Sequence, residues 1–119
     1  MRDTRTSPLV TVTILVTLAL ILVIGYLTLG PVSESGVPGS DKLHHFLAFF
    51  ALALPLSFAR PRLALWVMLA VVAYGGAVEL IQPYVGRERD SLDFLADALG
   101  AASGTALGLA LGWLRRRST

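Results

Sequence analysis

The sequence predicts an all-α polytopic membrane protein, with four transmembrane helices in one bundle and both termini cytoplasmic. Three observations carry this reading. Hydrophobic residues make up 55% of the 119-residue chain and charged residues only 15%, with a mean hydropathy of +0.69. That balance lies outside the range of ordinary soluble domains. The apolar residues gather into four runs separated by short polar or Gly/Pro-rich segments. The last run carries Gly100, Gly104, Gly108 and Gly112, a spacing that lets helices approach closely in lipid. Nothing in the pattern divides the chain, so residues 1–119 read as a single domain.

The first run, Leu9 to Leu29, has 21 residues without a charge. It is long enough to cross a hydrocarbon core of about 30 Å at about 1.5 Å per residue. Its basic start resembles a signal peptide, but no small-x-small cleavage site precedes Gly30-Pro31, so it reads as a spanning helix. The second run, residues 43–59, is shorter, carries His44 and His45 near its start, and contains Pro55, which predicts a kink. The third, residues 63–84, holds Glu79 and Gln82 near its end and is closed by Pro83. The fourth runs over residues 92–114. The connections are a Gly/Ser/Pro-rich loop (Gly30 to Ser40), a tight turn at Arg60-Pro61-Arg62 and a charged loop from Gly86 to Asp90.

The net charge of +2 sits mostly at the ends, at Arg2 and Arg5 and at Arg115, Arg116 and Arg117. Such charges set topology and do not mark a nucleic-acid site. With four crossings, seven of the ten Lys/Arg fall on the side of the termini and three (Lys42, Arg87, Arg89) on the other. The positive-inside rule then places both termini in the cytoplasm. Trp66 and Trp113 fall near the inner boundary, where interfacial anchors belong. The chain contains no cysteine and so forms neither disulfides nor thiolate metal sites.

With this topology three polar sets meet at the outer end. They are Asp41, Lys42 and His45 at the start of the second helix, Glu79 and Gln82 at the end of the third, and Arg87, Asp93 and Asp97 before and within the fourth. On a helical wheel Asp93, Asp97, Gly100, Gly104 and Gly108 fall within about 80° of one another, so the acids share the close-packing face. Glu79 falls within about 60° of Gly75, Gly76 and Gln82, again on the small-residue face. Caps and surface ion pairs account for Asp90, Lys42 and Arg89, and an interfacial position for His44. The cluster of Phe46, Phe49 and Phe50 reads as packing. Glu79, Asp97 and His45 sit inside apolar runs, where an unpaired charge costs several kcal/mol.

Three readings of this cluster stand side by side. It is a pocket for a polar ligand, an acid–base site acting on a phospho- or glycolipid, or a structural lock, with the glycine stripe serving a homo-oligomer or partner interface. His45, Glu79, Asp93 and Asp97 also offer one nitrogen and three carboxylates, a set that suits a divalent cation, although no compact metal motif accompanies them. No HExxH, GxSxG or P-loop motif occurs.

Four segments carry a family resemblance: Asp41-Lys42-Leu43-His44-His45-Phe46, Glu79-Leu80-Ile81-Gln82, Gly86-Arg87, and Asp93-Phe94-Leu95-Ala96-Asp97-Ala98-Leu99-Gly100. In this order, over residues 41 to 112, the chain resembles the VanZ-like family of small bacterial membrane proteins. Asp97 departs from the asparagine that the family often carries there, adding a negative charge that calls for a cation or an arginine partner. The resemblance implies four transmembrane helices in the bacterial inner membrane. Through the founding member it implies a link to resistance against teicoplanin-type glycopeptide antibiotics. The ligand expected at the outer pocket is therefore an envelope lipid, glycolipid or glycopeptide.

Overall fold

The computed structural model describes residues 7–29, 40–86 and 91–117, with the side chains of Ser40 and Asp41 outside the description. The described residues form four α-helices: α1 (Pro8–Leu29), α2 (Ser40–Ala59), α3 (Ala64–Ile81) and α4 (Ser91–Arg117). All four are long and apolar enough to cross a membrane. Their flanks carry exposed apolar side chains such as Leu22 (74%), Tyr26 (70%) and Trp66 (68%), a surface that water does not tolerate over such an area.

Each helix boundary has a local cause. At the start of α1, Pro8 occupies a first-turn position whose N–H would be orphaned anyway, and Ser7 Oγ accepts from Val10 N at 3.2 Å as an N-cap. Three α1 threonines turn their hydroxyls back onto the preceding turn: Thr13 on Val10 O (2.9 Å), Thr17 on Thr13 O (2.7 Å) and Thr28 on Ile24 O (2.7 Å). That satisfies them without water. The helix α2 continues through Pro55, and the expected kink produces no break in it. Pro61 starts a single 3-10 turn, Pro61–Leu63, that leads into α3. A second 3-10 turn, Gln82–Val85, follows α3 and ends at Gly86, whose φ of 81° requires a residue without a side chain. In α4, Asp93 lies in the first turn and Arg115, Arg116 and Arg117 in the last, each placed favourably for the helix dipole.

The bundle is organised around the pair α2 and α4. Gly100, Gly104, Gly108 and Gly112 are all buried and face the α2 backbone. A Cβ at Gly100 or Gly104 would overlap the carbonyl oxygens of Phe46 and Phe50. One at Gly108 would sit 2.7 Å from Leu54 O, and one at Gly112 would sit 2.8 Å from Phe58 O. The glycine stripe is thus taken up inside the chain, and an oligomer would have to use another surface. The helix α3 packs on α2 and α4, whereas α1 packs on α2 and α3 without touching α4.

The core lies where α1, α2 and α3 meet and comprises Ile24, Phe49, Leu52, Ala53 and Val71, with Ala101 from α4. Phe49, in the middle of the expected aromatic cluster, is fully buried, while Phe46 and Phe50 stack on each other at 6.2 Å. The Tyr74 ring tilts against Phe49, and its hydroxyl donates to Ile21 O at 2.7 Å, fastening α3 to α1. At the opposite end from the polar cluster, Arg115 lies over Phe58 and Arg117 over Trp113.

Close packing on glycine makes a sharp prediction. Gly104→Ala is expected to destabilise the protein in detergent by about 2 kcal/mol, because a methyl group has no space against Phe50. Gly76→Ala, whose Cβ would meet Phe94 at an ordinary 3.5 Å, should leave stability unchanged. Equilibrium unfolding of both variants checks the contrast.

Candidate functional site

The register set by the glycines brings the first turns of α2 beside the first turns of α4. His45 thereby meets both α4 acids. Its Nδ1 lies 2.7 Å from Asp97 Oδ1, and its Nε2 lies 3.7 Å from Asp93 Oδ2. The contact needs one proton between the two atoms, and with Asp97 as a carboxylate, which only accepts, Nδ1–H is the donor. Lys42, one turn back on α2, reaches Asp93 Oδ1 at 3.4 Å. The result is a continuous polar chain, Lys42–Asp93–His45–Asp97, across the α2–α4 seam.

The chain runs from a partly exposed end at Lys42 to a buried one at Asp97. The Lys42 side chain is 36% exposed, those of Asp93 and His45 are 10% and 12% exposed, and that of Asp97 is fully buried. Asp97 Oδ2 has no hydrogen-bond partner among the described residues and faces α3. Gly75 makes that position available, since a Cβ there would stand 2.9 Å from Oδ2. The glycine expected to serve helix packing therefore also makes room for a carboxylate.

Glu79 is buried on α3, and Gln82 is buried in the 3-10 turn that follows it. Gln82 Nε2 donates to Thr28 O at 3.3 Å, tying the end of α3 to the end of α1. The expected contributions of the Asp41 side chain and of Arg87 lie outside the described residues. Asp97, expected to call for a cation or an arginine, is met by histidine. Among the described residues no three His, Asp or Glu side chains group closely enough to hold a metal ion, so the set of His45, Glu79, Asp93 and Asp97 does not form one centre.

Sequence reasoning missed the part played by α1. A cleft of about 550 Å³ opens between the end of α1 and the start of α2, lined by Ile24, Leu27, Thr28, His44, His45, Leu47, Ala48 and Phe49. Its walls are mostly apolar and its polar corner is formed by Thr28 and the two histidines. The only signal was Gly25 and Thr28 near the end of an otherwise uniform run, and neither indicates which neighbour α1 faces.

The chain matches no family model, no curated protein and no solved structure.

Removing His45 leaves the buried Asp97 without its hydrogen-bond partner, at a cost of about 3 kcal/mol. His45→Ala is therefore expected to lower unfolding stability by about 3 kcal/mol, whereas Lys42→Ala, at a partly exposed pair, should cost under about 1 kcal/mol. In a double-mutant cycle, His45→Ala and Asp97→Asn should be strongly non-additive. Additive losses would mean that the 2.7 Å contact contributes nothing.

Proposed function

We propose that this chain is a multi-pass protein of the bacterial inner membrane, with both termini cytoplasmic. In this reading its outward-facing cleft binds an amphipathic envelope lipid or glycopeptide-like ligand. The observation that carries the reading is the cleft between α1 and α2, apolar along its walls and polar at the His45 corner. Such a seat matches a molecule with a hydrocarbon chain and a hydrogen-bonding head, the general character of small-molecule sites being an apolar pocket with a few placed polar groups. Ionisable groups inside a spanning bundle fit the same reading, because they are costly there and mark ligand or ion pathways.

The resemblance of Asp41-Lys42…His45-Phe46, Glu79…Gln82, Arg87 and Asp93…Asp97 to the VanZ-like family supports placing the ligand in the cell envelope. It also links the protein to glycopeptide susceptibility. The distribution of Lys and Arg supports the orientation. Lys42 and the cleft then face outward, and the Arg60/Arg62 turn faces the cytoplasm.

Ligand binding is checked by melting the purified protein in detergent with phospholipid, glycolipid and glycopeptide fractions of the envelope. A ligand present at one hundred times its Kd stabilises by about 2.7 kcal/mol, and this shift should vanish in Ala48→Trp, which fills the cleft. If no fraction shifts the wild type, the cleft is not a ligand seat. Orientation is checked independently, because the cysteine-free chain permits single-cysteine labelling. Tyr84→Cys, at a position 87% exposed, should react with an impermeant maleimide on intact spheroplasts, and Arg62→Cys only after permeabilisation.

A further inference from the structure

The imidazole of His45 is held closely at one nitrogen and more loosely at the other. Nδ1 is fixed on fully buried Asp97 at 2.7 Å, while Nε2, 3.7 Å from Asp93 Oδ2, is beyond hydrogen-bonding distance of any described group. With Nδ1 protonated, Nε2 of the neutral ring carries the lone pair. The His45 side chain is 12% exposed and forms part of the cleft wall. A carboxylate that fixes the tautomer of a histidine facing a ligand seat is the arrangement that makes imidazole a general base.

The polarity of the cleft narrows what this base acts on. Among the described residues the cleft lining includes neither lysine nor arginine. A neutral carboxylic ester suits that wall, and a phosphate anion does not.

We propose that His45 is a catalytic general base, positioned by Asp97, for hydrolysis of a carboxylic ester in an amphiphile whose acyl chain lies along Ile24, Leu27, Leu47 and Phe49. The proposal rests on the reading of the cleft as an amphiphile seat. Nε2 takes a proton from water as the water oxygen bonds to the ester carbonyl carbon. Asp97 keeps its hydrogen bond to Nδ1–H and stabilises the imidazolium that forms. Collapse of the tetrahedral intermediate breaks the carbon–oxygen bond to the alcohol, which leaves with the proton from Nε2. The net reaction is ester plus water to carboxylic acid plus alcohol, and the protein ends as it began.

The test uses the full chain in lipid nanodiscs with p-nitrophenyl dodecanoate as substrate and N-dansyl dodecylamine, a neutral sulfonamide, as the binding probe. Wild type is expected to bind the probe and release p-nitrophenolate. His45→Gln, which can still donate to Asp97 but supplies no base, should bind the probe with kcat reduced about 100-fold. In His45→Ala, added imidazole should restore part of the rate, which a merely structural histidine would not allow. Asp97→Asn should lower kcat at unchanged KM. If the histidine variants fail to fold, carbethoxylation of His45 in wild type, located by mass spectrometry, should abolish turnover in step with modification. Probe binding without hydrolysis by wild type would overturn the catalytic inference and leave the binding reading standing. Absence of both would overturn both. Wild-type turnover in His45→Gln, or in fully carbethoxylated protein, would also overturn the inference.

Discussion

Between two helices in hydrocarbon there is no hydrophobic force to exploit, because lipid tails are as apolar as leucine, so the helices are held by close packing and by polar contacts. In this protein both come from one constraint, the seating of four α4 glycines on the backbone of α2. The carbonyls that meet them belong to Phe46, Phe50, Leu54 and Phe58, which recur every fourth residue just as the glycines do. Two four-residue repeats in register allow one height of α4 against α2. His45 and Asp97, a residue or a turn away from the first of these contacts, are thereby brought to 2.7 Å. A side-chain layer in place of the glycines would separate the backbones and part that pair.

In the proposed reading the polar chain that follows serves stability and chemistry at once. Asp97 is too deeply buried to be tolerated alone, and its bond to His45 compensates part of that cost. The same bond orients the imidazole in the cleft wall, so in the proposed reading a structural lock and a functional site are two consequences of a single contact. The arrangement also draws on α3, where Gly75 opens space for the second Asp97 oxygen, and on α1, which supplies the far wall of the cleft and is fastened through Tyr74 and Gln82.

How much of this was legible in the sequence depends on the kind of information each feature needs. Helix number and extent follow from the length of uncharged runs, and the shared face of Asp93, Asp97 and the glycines follows from a 100° turn per residue, both local properties. The height of one helix against another is not local. The wheel put Asp97 on the close-packing face but could not bring it level with α2, so Arg87, Lys42 and His45 all stood as partners for the three acids. The stripe likewise left open whether it served this chain or another copy, and only the α2 carbonyls settle which surface it meets. The uniform apolarity of α1 gives no favoured face, so its buried positions, Val10, Thr13, Thr17 and Ile24, are chosen by its neighbours and not by its own pattern. Pro55 promised a kink that the continuous helix does not show as a break.

The measurement that tests the central claim most directly is the nitrogen NMR spectrum of His45 in protein labelled at histidine nitrogen and reconstituted in nanodiscs, assigned by comparison with His45→Gln. The account predicts a protonated, strongly hydrogen-bonded Nδ1 and an Nε2 with the shift of an unprotonated nitrogen, with the Nδ1 signal moving when Asp97 is replaced by alanine. A neutral ring protonated at Nε2, with Nδ1 indifferent to Asp97, would contradict the hydrogen-bond direction on which the site is built.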